Sequence, residues 1–502
     1  MPLRRRILAT TPALVLAATF QSAIAVPGDV DRSADDQVAR ALNREFINKT
    51  SAQNTSWQIL LEAYSKMTPC PEDLSTGFSP VDVWPEMSGW TKMSAWAAEN
   101  ADVAKAFAAA AEKIAFGLPY GPDALADAVK QAGMPAGLAE NYADVGLAEQ
   151  GAVVMQFPYL EMFRTFSVWA TAEMYRRLEA GEWTQGFDVA VDNVRMLRQL
   201  CDRPMKTEVL DAGGMMIDAL SLIRDAMWSY LEKIPEEEFN RLALKELPFL
   251  KVGDAERMKR LRLPEGDRFL VTAAIDNVFQ GSDYPDPDRM GEVFGVIQSS
   301  ERPLSRFGAT KRWTKIADVH GSADASKEKL TQVYDDWYRR WRIRPYDPIQ
   351  DLPTDYSVLN EVRYAIVVDT ISDMRSVFDL RERLIVEVNG TILSAGLCGF
   401  HRYSGDWPRN RASMYSQNVS KRFDFDPFDP EYGRFLYENL DGGEEPVDTD
   451  DGRIFISGCV LYARGQDRED SGFRDASLNG VTGDMIVWPP LRVLGRDQGV
   501  ID

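Results

Sequence analysis

Three stretches of apolar residues at helical spacing constrain most of what this chain can fold into. Phe163, Phe166, Ala170, Met174 and Leu178 recur every three or four positions. Phe187, Ala190, Val194, Leu197 and Cys201 repeat the pattern, as do Met216, Leu220, Ile223, Met227 and Leu231. Such a stripe runs along one face of an α-helix. Gly181 separates the first two stripes and reads as a helix stop with a short connection. Short connections make antiparallel neighbours, so the spacing predicts an αα-hairpin followed by a third helix. Alanine-rich Ala101–Phe116 adds another helix, and Cys70–Trp90 reads as a long loop. Pro235 before Glu236, Glu237 and Glu238 marks a helix start whose carboxylates suit the helix dipole. The region 35–250 is therefore expected to be all-helical. Ala180-Gly181-Glu182-Trp183 between two helices is faintly like a tetratricopeptide unit, but no recurrence at about 34 residues supports a repeat scaffold.

The middle of the chain changes character. Ser282–Asp288 is turn-rich and acidic, and Ser322–Lys327 is small and polar. Residues 282–355 are expected to be a linker with one further helix, Lys327–Trp341. That helix ends in Trp337-Tyr338-Arg339-Arg340-Trp341-Arg342-Ile343-Arg344. Inward aromatics with arginines at the favourable C-terminal end explain it without an anionic ligand. Val367, Ile371, Met374, Phe378, Ile385, Val388, Ile392 and Ala395 then keep the helical rhythm as one helix of about eight turns. Arg381 interrupts its stripe, and Gly390, Gly396 and Gly399 suit close packing against a sheet. Beyond Tyr403 come turns at Ser404–Pro408 and Asp426–Pro430, a short strand Arg434–Tyr437 and an acidic loop Asp441–Gly452. Strands Ile454–Ala463 and Ile486–Trp488 complete the chain. The fold class expected is mainly α. A large antiparallel helical domain (26–281) is followed, after the linker, by an α+β domain (356–502) with a long helix and a small antiparallel β-sheet.

The amino terminus reads as an export signal. Arg4, Arg5 and Arg6 precede the apolar run Ile7–Phe20, and Ala23-Ile24-Ala25 supplies the small-x-small pattern for cleavage before Val26. The alternative is a retained anchor, since Ile7–Val26 is 20 residues long. Thr10, Thr11, Pro12, Thr19, Gln21 and Ser22 dilute that run, so membrane contact is expected only if it stays uncleaved. No later segment reads as a span. The protein is expected to be exported, periplasmic or extracellular.

Removing residues 1–25 leaves 477 residues with 54 basic against 77 acidic side chains, a formal charge of -23. Such a surface repels phosphates, so nucleic acid is not an expected partner. Cys70, Cys201, Cys398 and Cys459 make either two disulfides, in one of three pairings, or four buried thiols. No CxxC spacing suggests zinc. The two histidines, His320 and His401, stand near no G-x-S-x-G nucleophile motif, and no catalytic residue is assigned.

The carboxy-terminal quarter, about 366–490, carries a resemblance. After the long helix come Phe400-x-Arg402-Tyr403-Ser404-Gly405-Asp406-Trp407-Pro408, an Asp426-Pro427-Phe428-Asp429 corner and Arg434-Phe435-Leu436-Tyr437. Val460-Leu461-Tyr462-Ala463-Arg464-Gly465-Gln466-Asp467 and Gly483-Asp484-Met485-Ile486 follow. This order resembles the soluble part of the major pseudopilin of type II secretion systems. There a helix leads into an N-G-x-Y-P turn, a D-P-W/F-G-x-x-Y-x-Y corner, an L-Y-S-x-G-x-D-G strand and loop, and a closing A-D-I. The loop binds calcium in that family. The ordinary signal peptide, and about 340 residues before the matching helix, exclude a standard filament subunit.

The resemblance implies calcium as cofactor, with Asp467 at the loop aspartate and Asp484 at the closing one. Asp470 lies between them with no clear counterpart in that family, and is expected as a third metal ligand from its position and charge alone. Calcium takes six to eight oxygens at ~2.4 Å, so backbone carbonyls would complete the shell. A solvated acidic turn is the alternative. The function expected is an exported, non-catalytic cell-envelope protein: a helical scaffold with a calcium-binding, pseudopilin-like module and a protein partner in the envelope. The alternative is an exported glycan-acting enzyme with paired carboxylates. A cleft gathering two carboxylates and several tryptophans would favour that alternative.

Overall fold

The structure, a computed structural model, describes residues 33–71, 79–134, 157–248, 261–301, 306–343, 347–415, 417–431, 433–477 and 483–501. The expected signal segment, 1–25, lies outside the described residues. The fold is mainly helical, with a small antiparallel sheet at the C-terminal end after a long helix.

The helical body is built on α6 (Tyr159–Glu179) and α7 (Trp183–Leu200), joined by a turn in which Gly181 adopts φ 78°. Helix α8 (Lys206–Ser229) and the short α9 (Glu236–Arg241) follow. Earlier helices α1 (Ser33–Leu42), α2 (Trp57–Lys66), α3 (Trp90–Glu99), α4 (Val103–Ala111) and α5 (Pro122–Gln131) complete it. Helix α3 packs on α6, and α4 on α7. The stripes at Phe163, Phe166, Met174, Phe187, Val194, Leu220 and Ile223 are all buried. Helix α6 sinks further than one stripe requires: every residue from Phe166 to Tyr175 is buried. Its Glu173 is fully buried and held by Arg176 at 2.7 Å and Arg177 at 2.6 Å. The alanine-rich helix stops at Ala111, because Ala115 and Phe116 turn their carbonyls to the backbone N–H groups of Ser56 and Trp57.

Where a linker with one helix was expected, the described residues are mostly helical. Helices α10 (Asp267–Phe279), α11 (Pro287–Glu301), α12 (Arg306–Ala317), α13 (Ala323–Arg342) and α14 (Ala365–Thr370) occupy 267–370. Val271, Ile275, Phe294, Trp313, Val333, Trp337 and Ile366 share one apolar core. That core runs across both expected boundaries, 281/282 and 355/356. The acidic segment before Pro287 is only a turn, with Asp286 Oδ1 accepting from the N–H groups of Asp288 and Arg289. The aromatic-arginine end of α13 is structural. Trp337 is buried, and so is Arg340, which binds Asp336 at 2.9 Å and the carbonyls of Ile349, Leu352 and Pro353.

The single long helix expected from 367 to 395 is interrupted. Chain direction changes between α14 and α15 (Arg375–Ser404), where Ile371 is extended at φ -109° and ψ 145°. Asp373 Oδ1 accepts from Arg375 N–H, and Lys206 Nζ donates to Ser372 Oγ and the Asp373 carbonyl. Short polar side chains that bond nearby backbone compete with helix. Arg381, the break in the stripe, lies 4.2 Å over the Trp341 ring and donates to its carbonyl at 2.7 Å. Ala365–Ser404 is, by length and composition, long and apolar enough to cross a membrane, contrary to the sequence expectation. However, 78% of its most apolar window is buried inside the protein, which is the state of a core helix.

Of the three α15 glycines, one meets the sheet. A Cβ at 390 would lie 2.6 Å from Val487, whereas Gly396 backs onto Val419 and Gly399 onto Asn240. The sheet has order β1-β2-β3, all antiparallel: β1 (Leu436–Thr449), β2 (Gly452–Ala463) and β3 (Met485–Trp488). The acidic loop expected at 441–452 is mostly the outer half of β1, after a bulge between Asn439 and Glu444. Charge on an exposed edge strand hinders edge-to-edge pairing, which accounts for its composition. Strand β2 alternates between two cores. Ile454, Ile456, Val460 and Tyr462 face one with Leu491 and Leu494 of α16 (Leu491–Asp497). Cys459, Leu461 and Ala463 face the main core with α15.

Helices α8 and α15 meet through a buried ion pair, Arg224 to Glu387 at 2.6 Å, with Arg224 also donating to Thr391 at 2.6 Å. Both charged side chains are 7% exposed. Glu387→Leu alone strands a buried guanidinium and is expected to cost about 3–5 kcal/mol in urea unfolding. The double replacement Arg224→Met with Glu387→Leu is expected to cost much less. An equal or greater loss in the double variant would contradict this view of the pair.

Candidate functional site

The aspartates singled out in the sequence lie on the connection between β2 and β3. Its start is fixed by the Asp-Pro-Phe-Asp corner. Asp426 Oδ2 accepts from Arg464 N–H at 3.0 Å, and Asp429 holds the Arg464 guanidinium at 2.6 Å. Asp426 is fully buried, and burial pushes its carboxyl up to about 6. The corner and the loop that the resemblance linked in sequence thus meet in space.

Gly465 and Gly483 then bring the two ends of the connection together. A Cβ at 465 would sit 2.0 Å from the Gly483 carbonyl oxygen and 3.7 Å from Asp467 Oδ1. The Asp467 turn therefore abuts the backbone immediately before Asp484. Asp484 itself is fully buried. Its Oδ2 accepts from Ser471 Oγ at 2.6 Å, Phe473 N–H at 2.8 Å and Ser471 N–H at 3.2 Å. Its Oδ1 is buried and has no hydrogen bond among the described residues.

Burial raises the Asp484 carboxyl above its ordinary value. The Ser471 and Phe473 hydrogen bonds pull it down, and the Asp470 charge pushes it up. A carboxyl with a raised folded-state value stabilises the fold when protonated, so ionising it towards neutral pH costs native stability. A cation beside Oδ1 would offset that cost.

Asp470 Oδ1 accepts from Gly472 N–H and from the Tyr462 hydroxyl. Asp467 Oδ1 accepts from Glu469 N–H. Among the described residues no group of three or more His, Cys, Asp or Glu side chains could hold a metal ion. Asp467, Asp470 and Asp484 do not make a three-carboxylate cluster there, because Asp467 and Asp470 are each turned to an N–H two residues on. Backbone carbonyls, such as that of Gly483, would have to supply most of a calcium shell.

The other sequence candidates are structural. His320 Nε2 accepts from Ile366 N–H at 3.3 Å and Nδ1 donates to the Gly321 carbonyl at 2.9 Å; burial lowers its value. His401 stacks on Trp407 at 4.2 Å. Among the described residues no disulfide forms: Cys201, Cys398 and Cys459 are buried thiols and Cys70 is half-buried, so of the two readings left open the thiols hold. Burial pushes Cys201 up to about 12, and Cys398 and Cys459 upward too, leaving little thiolate to react. Two features had no sequence signal. One is a buried cluster in which Arg203 binds Glu208 at 3.0 Å while Tyr120 and Tyr159 donate to the same carboxylate. The other is a polar cavity of about 70 Å³ between α8, α15, β3 and α16 that gathers Asp218, Asp225 and Glu387. No tryptophan lines it, and it is far smaller than the roughly 300–1,000 Å³ of an organic-ligand cleft.

No family model, no curated protein and no solved structure matches the chain.

Removing the Asp484 carboxylate strands two loop N–H groups, whereas Asp467 serves one exposed N–H. Without added metal, Asp484→Ala is expected to lower stability by roughly 2–3 kcal/mol and Asp467→Ala by less than about 1 kcal/mol. Urea midpoints compare them, and equal losses would show that the loop does not depend on Asp484.

Proposed function

We propose that the chain is an exported, non-catalytic protein of the cell envelope, a helical scaffold whose C-terminal module binds calcium at the β2–β3 connection and docks a protein partner. The observation that carries this reading is the Oδ1 atom of Asp484, buried and without a hydrogen bond among the described residues. Buried carboxylate oxygens are normally satisfied, and an orphan marks a place for an ion or water. Support also comes from the Gly483 carbonyl and Asp467 meeting across Gly465, and from the Arg4–Ala25 export pattern. Asp484 and Asp467 would hold the ion, with Asp470 supplying negative charge beside it. The glycan-acting alternative has less behind it, since the cavity that gathers carboxylates is too small for a sugar chain and has no tryptophan wall.

The test uses the full chain, because α15 belongs to the core of the body. Calcium at about 100 times its dissociation constant is expected to add about 2.7 kcal/mol, seen as a higher melting temperature that chelation reverses. Asp467→Ala is expected to abolish the increment while leaving the metal-free melt nearly unchanged. A melting curve indifferent to calcium in the unaltered protein would overturn the metal site.

A further inference from the structure

The cavity between α8, α15, β3 and α16 holds a second, independent imbalance. Helix α8 points Asp218, Ser221 and Asp225 at it, one face over two turns. Arg383 of α15, Ser477 and Arg492 of α16 line the opposite walls. Arg224 and Glu387 also border it, but they satisfy each other at 2.6 Å.

The groups that remain are mismatched. Asp225 is 1% exposed, yet its Oδ2 accepts no hydrogen bond among the described residues and is met only at 3.7 Å by Arg492 Nη1. Arg492 Nη1 instead donates to Ser221 Oγ at 3.0 Å, and its other nitrogens have no hydrogen bond among the described residues. Asp218 likewise makes no hydrogen bond there, and burial pushes its carboxyl up to about 6. Acceptors without donors thus lie on the α8 wall, and spare guanidinium donors on the α16 wall.

We propose that this cavity binds a small zwitterion of the amino-acid type, its ammonium group on Asp218 and Asp225 and its carboxylate on Arg492. The lining charges sum to neutral, three carboxylates against three guanidinium groups. A bare metal cation would meet the arginines, and a simple anion would meet Asp218 and Asp225. A zwitterion matches both walls and neutralises each desolvated charge, where water would leave the buried charges uncompensated. At roughly 10–15 Å³ for each water-sized occupant, 70 Å³ admits about five to seven heavy atoms, the size of glycine or alanine. Apolar Ile217, Val487 and Leu491 close the rest of the wall against larger side chains.

Isothermal titration of the full chain with glycine tests this, with alanine, leucine, acetate and methylammonium as companions. Glycine, and alanine more weakly, are expected to bind saturably, with acetate and methylammonium each at least about tenfold weaker, since each lacks one charged contact. Asp218→Asn keeps the side-chain shape and is expected to remain folded while weakening glycine about tenfold or more. The proposal is overturned if glycine does not bind, which would leave a water-filled cavity. It is equally overturned if acetate binds as tightly as glycine, if leucine does, or if Asp218→Asn leaves the affinity unchanged.

Discussion

The contact between α8 and α15 organises the molecule, and at its centre is the desolvated pair Arg224–Glu387 with Thr391. Helix α15 belongs to two cores along its length. Val377 and Phe378 sit in the core of α10–α14, and Leu384 through Cys398 contribute to the core of α6–α8. Its Gly390 admits Val487 of β3, so the sheet is mounted on the same helix. A buried ion pair contributes little net stability, but removing one partner is severe, so it fixes the register of α15 on α8. Slipping that register would misplace all three contacts together.

The loop and the cavity are both consequences of this mounting. Strand β3 runs from Asp484 to the α15 surface, and α16 returns to α8 through Arg492. The Asp484 carboxylate precedes this strand-helix segment, and Met485 to Arg492 of the segment face the Asp218–Asp225 wall of α8 across the cavity. Both are polar groups kept dry by neighbours from elsewhere in the chain. Unmatched buried oxygens are costly, and each calls for a structural or functional explanation.

What the sequence made legible follows from range. The stripes at Phe163–Leu178, Phe187–Cys201 and Met216–Leu231 are local and periodic, and all but the half-buried Leu231 are buried in helices or just past their ends. The break at 371–374 was hidden because Ile371 and Met374 are themselves core residues that continue the stripe. Composition suggested a linker at 282–355, but Trp313, Trp337 and Ile366 meet only in three dimensions. The acidic residues of β1 look like loop because an exposed edge strand needs charge rather than alternation. At the site, the glycines and Asp484 could be picked from the resemblance. The burial of Asp484 could not, since it depends on Ser471 and Phe473 folding over it. The cavity had no signal at all: its walls come from α8, α15 and α16, which are distant in the sequence.

If α15 joins the body and the sheet as described, they should open together. Native-state hydrogen exchange measures this directly by comparing amides of β2 from Val460 to Ala463 with those of α15 from Ile392 to Cys398 and α8 from Leu220 to Met227. The expected result is one shared opening free energy for the three sets, within about 1 kcal/mol, as for a single cooperative unit. Exchange of the β2 amides through a separate opening several kcal/mol less costly, with α8 and α15 still protected, would contradict it.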